Sequence, residues 1–166
     1  MRDQLEKTYC SHRQGLFSLA LSITGCRQLA EDAIQSAFER LCRSDAVPGD
    51  DLAGYVFASV RNASRDVVRA RRRVDGIRES IFNGAVRSED SWTGPAEDYL
   101  TAERDQILRT AVDGLDEADR EVVVLKTFAG LTFEAIGDVL KQPAKTVATR
   151  YRRALTKLEE KLRGQL

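Results

Sequence analysis

Residue types that bind metals or form disulfide frameworks are scarce in this chain of 166 residues. It has three cysteines and one histidine, with no CxxC pair and no cluster of Cys and His at ligand spacing. This scarcity predicts no metal site, and we interpret Cys10, Cys26 and Cys42 as small buried side chains in a reducing compartment. The single histidine, His12, has no candidate catalytic partner nearby.

Long apolar runs and enzyme motifs are missing too. No segment approaches the ~20 apolar residues of a membrane-spanning helix, and the N-terminus lacks the pattern of a signal peptide. We also find no phosphate-binding glycine loop and no nucleophile–base pair. The sequence therefore predicts a cytoplasmic protein without membrane insertion, without a cofactor and without a catalytic site of its own.

Charge is balanced overall but unevenly distributed along the chain. Arg61 to Arg73 contains six arginines and one acid, and Lys145 to Arg163 contains seven basic residues and two acids. The stretch between them, Asp75 to Asp105, holds eight acids and three arginines. Two basic patches separated by an acidic segment indicate two contacts with a polyanion. For either patch alone, an ordinary solvated helix face remains the alternative.

Apolar residues at spacings of three and four predict helices along most of the chain, and only three prolines occur. The predicted helices are Leu5 to Thr24, Leu29 to Arg43, Leu52 to Arg73, Tyr99 to Asp113, Glu117 to Ala129, Phe133 to Leu140 and Ala144 to Leu162. Between the third and fourth, glycines, serines and Pro95 predict a flexible linker, in which Trp92 is a candidate docking anchor. The predicted fold is all-α, with small helical domains at 1–75 and 97–166 and a linker at 76–96.

The last two predicted helices have the features of a helix-turn-helix. Thr132 is a good N-cap, and Pro143 ends the turn and begins the second helix. Gly137 costs about 1 kcal/mol inside a helix, which a close approach of the next helix would explain. The second helix has an apolar stripe at Val147, Tyr151, Ala154 and Leu158, and we place Lys145, Thr146, Thr149, Arg150, Arg152 and Arg153 on the opposite face. That face suits insertion into a DNA major groove; a surface helix with scattered arginines is the alternative.

The same segment resembles region four of the extracytoplasmic-function (ECF) sigma factors. The resemblance covers Leu131 to Gly137 and Pro143 to Leu155, with Leu115 to Val122 matching the lead-in helix. It implies that this region binds the minus-thirty-five promoter element as duplex and rests on the polymerase flap. Lys141 stands where the family usually has a glycine, so we expect a left-handed backbone conformation there.

The N-terminal half resembles region two of the same family. Within Glu31 to Leu41, the family pattern matches at Asp32, Gln35 and Phe38, which implies that these residues and Glu39 dock on the polymerase clamp helices. The resemblance continues from Tyr55 onward, and it implies that the melted minus-ten strand contacts Tyr55, Arg61, Asn62, Arg65 and Arg69. Arginines beside an aromatic ring suit a single strand, because phosphates pair with cations and bases stack on rings. The preceding loop, Ser44 to Asp51, is acidic and therefore a poor phosphate binder.

Together the two regions predict a sigma factor that directs the RNA polymerase core to promoter DNA, with an anti-sigma factor as a possible further partner. The alternative is an autonomous helix-turn-helix repressor or activator, which would bind a palindromic duplex without polymerase. A helical enzyme is a third hypothesis, which the missing catalytic motifs disfavour.

Overall fold

The computed structural model describes residues 2–44, 50–78 and 99–164, and these ranges contain seven α-helices and no strand. The helices are α1 (Arg2–Thr24), α2 (Arg27–Arg43), α3 (Leu52–Arg78), α4 (Tyr99–Asp113), α5 (Glu117–Thr127), α6 (Phe133–Leu140) and α7 (Ala144–Arg163). The all-α prediction is therefore confirmed. The chain divides into two compact units, one built from α1 to α3 and the other from α4 to α7. Most of the predicted linker, including Trp92, lies outside the described residues.

The first unit is a bundle in which each of the three helices packs against the other two. Phe57 lies at its centre and is the largest of its fully buried side chains. Its ring meets that of His12 edge-on, with centroids 5.6 Å apart. The buried positions of α2 are mostly alanines, which let neighbouring helices approach closely: Ala30, Ala33 and Ala37 beside Ile34 and Leu41.

Asp51 explains how α3 begins. Its Oδ1 accepts a hydrogen bond from the backbone N–H of Gly54 at 2.9 Å. A carboxylate in this position satisfies a donor that the first turn of a helix leaves unpaired, and it is favoured by the positive end of the helix dipole. The loop from Ser44 to Asp51 was predicted to bind phosphate poorly because it is acidic. At least one of its acids, Asp51, therefore has a structural role.

The distal part of α3 departs from the predicted helix. The helix continues past Arg73 to Arg78, and among residues 52–76 the last buried position is Ser64. From Arg69 to Val74 all six residues are exposed, and Val74 is 53% exposed. Six consecutive residues cover the full circumference of a helix, so this stretch is exposed on every side.

The prediction of buried cysteines is wrong. Cys10 and Cys42 are exposed and Cys26 is half-buried. The reason is helical phase, because each residue advances about 100° around the axis. Cys42 follows the buried Leu41 directly and is therefore turned away from the core.

In the second unit, α7 packs against α4, α5 and α6 and so holds the other three helices together. The Val122 to Leu125 segment of α5, which has strand propensity, is a buried helical segment as predicted. Further buried apolar residues come from the other three helices and the intervening turns: Ala111, Val112, Leu115, Leu131, Ile136, Val139, Val147, Ala154 and Leu158.

The helix-turn-helix formed by α6 and α7 has the backbone features expected from the sequence. Thr132 Oγ1 accepts a hydrogen bond from the N–H of Ala135 at 3.1 Å, which confirms the N-cap. Lys141 adopts the expected left-handed conformation, with φ 55° and ψ 47°. The N–H of Gln142 donates to the carbonyl of Gly137 at 2.8 Å. A Cβ built on Gly137 would lie 2.5 Å from the Gln142 carbonyl oxygen, so the close approach inferred from this glycine is confirmed.

Replacing Lys141 by glycine is expected to raise the free energy of unfolding of this unit by about 0.5–1 kcal/mol. A left-handed conformation costs a side chain with a Cβ about 1–2 kcal/mol, whereas the greater freedom of glycine in the unfolded chain offsets about 0.4–1 kcal/mol of that gain. Urea unfolding followed by circular dichroism measures the difference. Lys141→Ala is the control, since it removes the charge but keeps the Cβ. Equal stability of the two variants would contradict the prediction.

Candidate nucleic-acid interface

The outer face of α7 presents most of the predicted duplex-binding residues. Five of them are exposed: Lys145, Thr146, Thr149, Arg152 and Arg153. The opposite side is anchored by Val147, Ala154 and Leu158, which are buried. Tyr151 is half-buried, and its ring centroid lies 5.6 Å from that of Phe133 in α6. The apolar stripe predicted for this helix is therefore confirmed, and it fixes which side of α7 faces outward.

The N-terminal end of α7 is electropositive. Its first turn contains no acidic residue, and Lys145 stands there exposed. Unpaired N–H groups at the start of a helix carry partial positive charge and attract phosphate. This end of the helix therefore suits the negatively charged backbone of DNA.

Arg150 does not lie where the sequence analysis placed it. Its side chain is only 26% exposed, and its Nη1 lies 3.9 Å from Oδ1 of Asp119 in α5. Arg150 follows the buried Val147 by three residues and precedes the buried Ala154 by four, so it flanks the apolar stripe and is not opposite to it. We therefore separate Arg150 from the outward-facing residues of α7.

The partner of Arg150 belongs to a network that sequence reasoning missed. Asp119 has a side chain only 8% exposed, and its Oδ2 lies 2.5 Å from Nζ of Lys157. The same Nζ lies 3.3 Å from Oδ2 of Asp116, whose side chain is 59% exposed. Asp116 is also the N-cap of α5, and its Oδ1 accepts from the N–H of Asp119 at 2.9 Å. Asp116 could have been recognised as a cap, whereas the contacts with Lys157 of α7, 38 and 41 residues further along the chain, leave no local signal.

This network shifts two pKa values in opposite directions. The hydrogen bond from the Asp119 N–H, assisted by Lys157, lowers the pKa of Asp116. The hydrogen bond to Asp119, followed by that to Asp116, raises the pKa of Lys157. The stabilisation by Asp116 is present above its unfolded pKa and is lost as the pH falls through the lowered value. That by Lys157 is present below its unfolded pKa and is lost as the pH rises through the raised value.

The predicted single-strand residues share one side of α3. Tyr55, Asn62, Arg65 and Arg69 are spaced close to whole turns, and Arg61 lies one turn before Arg65. Asn62 and Arg69 are exposed, while Tyr55, Arg61 and Arg65 are half-buried. A carboxylate lies on the same side of α3. Asp66 is 3.8 Å from Arg69 and 3.6 Å from Arg40 of α2.

The predicted polymerase-docking residues of α2 divide into two groups. Asp32, Gln35 and Glu39 are exposed on one face, and the Gln35 amide donates to Glu39 Oε1 at 3.3 Å. Phe38 is half-buried and lies to the side of that face. Its ring meets Tyr9 of α1 edge-on, with centroids 5.2 Å apart. The face is therefore polar, with two acids, the exposed Arg43 one turn after Glu39, and an aromatic pair at its edge.

Among residues 2–44, 50–78 and 99–164, no helix contains an apolar stretch of the length that a membrane span requires. Nor do the His, Cys, Asp and Glu residues of these ranges form a group of three or more that could hold a metal ion.

Both units match known sequence families. Residues 8–74 match the family described as Sigma-70 region 2, and residues 105–158 match Sigma-70, region 4. The chain is 26% identical over 160 residues to the ECF RNA polymerase sigma factor EcfG of Rhodopseudomonas palustris, covering 95% of this chain and 84% of that protein. It is 30% identical over 155 residues to the ECF RNA polymerase sigma factor SigE of Mycolicibacterium smegmatis, covering 91% of this chain and 58% of that protein.

A solved structure supports the fold. The sigma factor RpoE of Bartonella quintana, in complex with the anti-sigma factor NepR, superposes with a TM-score of 0.72 at 21% identity. The match covers 98% of this chain and 96% of that one. Region 2 coincides with the bundle of α1 to α3, and region 4 contains the helix-turn-helix. The chain therefore belongs to the extracytoplasmic-function sigma factors of the sigma-70 family.

Proposed function

We propose that this sigma factor binds a promoter at two places while α2 docks on the polymerase core. One is the outer face of α7, and the other is the side of α3 that carries Arg61, Arg65 and Arg69, here called the arginine side. The observation that carries the proposal is the separation of charge over three helices. Two faces are basic and suit DNA, whereas the exposed face of α2 carries the acids Asp32 and Glu39 with one cation, Arg43, and is less suited to it. The two regions occur in one chain, which disfavours an autonomous repressor.

The outer face of α7 is proposed to read the minus-thirty-five element as duplex. An α-helix fits the major groove, where its N-terminal residues meet base edges. Thr146 and Thr149 are short and exposed near that end, while Arg152 and Arg153 are long enough to reach phosphates or guanines. The partly neutralised Arg150 is not assigned to this face.

The arginine side of α3 is proposed to hold the melted minus-ten strand. Arg61, Arg65 and Arg69 offer cations to successive phosphates, and Tyr55 offers a ring for stacking. Asn62 adds an amide that can bond to the edge of an unpaired base. The neighbouring Asp66 reduces the net charge of this side, so stacking and hydrogen bonds contribute relatively more to its binding.

The polar face of α2 is proposed to bind the clamp helices of the polymerase core, with region four resting on the flap. RpoE of Bartonella quintana, which has a similar fold, forms a complex with an anti-sigma factor, and we propose such a partner for this chain too. The protein would act in the cytoplasm, where the polymerase works, and would leave catalysis to the core enzyme.

Run-off transcription with purified core polymerase and a pool of promoters tests the proposal. The wild-type protein is expected to bind core and start transcripts at specific sites, and failure to bind core would contradict the function itself. The double variant Asp32→Lys/Glu39→Lys is expected to weaken core binding about tenfold or more, because like charges then meet at the interface. Glu6→Lys in α1, also exposed, is the control and should bind as wild type. Equal binding by both variants would show that another surface docks.

A further inference from the structure

Asp119 is a buried acid that the proposed function does not use. It is one of three polar or charged residues buried in the described part of the chain. Its two carboxylate oxygens contact different cations of α7, with Oδ1 near Arg150 at 3.9 Å and Oδ2 near Lys157 at 2.5 Å. Arg150 and Lys157 are seven residues apart, which is about two turns, so they line one flank of α7.

Without the contacts to Asp119, that flank would extend the basic surface of α7. Of the seven basic residues between Lys145 and Arg163, these two are drawn toward α5. Arg150 is only 26% exposed, although arginine is among the residues most often found at the surface. An arginine or lysine whose charge is matched by a buried carboxylate has less to gain from a phosphate, because it must leave its partner to reach one.

We propose that Asp119 is a specificity-determining positioning residue for promoter reading. By holding Arg150 and Lys157 against α5, it withdraws two cations from the phosphate backbone and leaves duplex contact to the outer face of α7. This inference rests on the proposed reading of duplex DNA by α7. Phosphate contacts bind every sequence alike, whereas contacts with base edges discriminate. When fewer cations are free, the affinity for random DNA therefore falls more than the ability to discriminate between DNA sequences.

A second consequence concerns the orientation of α7. The contacts join α5 to α7 on the same flank, where Lys161 also donates to the carbonyl of Gly114. Base-edge contacts depend on the position of a helix within the groove, whereas phosphate contacts tolerate displacement. Asp119 is therefore expected to affect discrimination through both charge and geometry.

The test is a salt titration of the full-length protein on a random-sequence duplex, which needs neither polymerase nor a known promoter. Asp119→Asn should bind the duplex several-fold more tightly, and the plot of log affinity against log salt should steepen by about 0.9 for each cation released. Asp116→Asn makes the same change of charge and keeps a good N-cap. Because Asp119 still holds Lys157 there, its slope should equal that of the wild type.

Two further variants decide the matter if Asp119→Asn does not fold, as circular dichroism would show. Lys157→Gln should leave the slope unchanged, because Lys157 is already withdrawn from DNA, whereas Arg153→Gln should lower it by about 0.9. The proposal is overturned if Lys157→Gln lowers the slope as Arg153→Gln does, or if a folded Asp119→Asn has the wild-type slope. Failure of the sigma function would be seen separately, as absence of core binding by the wild type.

Discussion

Replacing Phe57 by alanine is expected to lower the free energy of unfolding of the α1–α3 unit by about 3–5 kcal/mol. The side chain is 0% exposed, and it meets the ring of His12 in α1. Removing it leaves a cavity between helices that are joined by a single core. Because a domain is stable by only about 5–15 kcal/mol in total, the variant should be close to unfolding at growth temperature. Thermal and urea unfolding, followed by circular dichroism, measure the loss.

The matched control for this substitution is Val74→Ala in the same helix. Val74 is 53% exposed, so the loss of its methyl groups should change stability by less than about 0.5 kcal/mol. The loss of function should also be confined to the α1–α3 unit. Phe57→Ala is expected to lose core binding and transcription, while the α4–α7 unit keeps its affinity for duplex DNA. A loss of stability below about 1 kcal/mol would contradict the central place given to Phe57.

Replacing Gly137 by valine is expected to destabilise the helix-turn-helix by about 1–3 kcal/mol and to weaken duplex binding about tenfold. The new Cβ would meet the carbonyl oxygen of Gln142 at 2.5 Å, and the backbone of Ala144 lies next to it. Gln142 belongs to the turn, and Ala144 is the first residue of α7. The clash can therefore be relieved only by moving α7. Urea unfolding and fluorescence anisotropy with a duplex measure the two effects.

Ala135→Val in the same helix separates the clash from helix propensity. Ala135 is half-buried, and a β-branched residue there should cost only about 0.5 kcal/mol. If the two variants are equally stable and bind duplex equally well, the close approach at Gly137 is unimportant.

The helices and the turn were predictable because their determinants are local. In the second unit, all eight helix ends were predicted to within two residues. The roles of Thr132 and Gly137 followed from their own residue types, and the left-handed Lys141 followed from the glycine that is usual there in the family. The extension of α3 to Arg78 was missed, because exposed arginines are good helix formers that add nothing to an apolar stripe. The buried-cysteine prediction failed because residue type was considered without helical phase.

For the candidate site, the placement of the side chains was only partly predictable. The outward side of α7 followed from its apolar stripe, and only Arg150 was misplaced, since its flanking position required its angle from Val147 to be considered. The contacts of Asp119 with Arg150 and Lys157 depend on how α5 packs on α7, which no local pattern encodes. Which residues touch DNA and polymerase stays a prediction for all three faces.

The all-round exposure of the distal part of α3 makes its local stability graded along the helix. Up to Ser64 the backbone is protected by the shared core, so opening it requires unfolding of the unit. Beyond that point helical order depends on propensity and on ion pairs such as Arg71–Asp75, 3.7 Å apart, and short isolated helices are marginal in water. In the free protein the amide protons from Arg69 to Val74 should therefore exchange much faster than those near Phe57. Binding of a polyanion along these arginines would slow that exchange, and part of the free energy of such binding would offset the cost of ordering the helix.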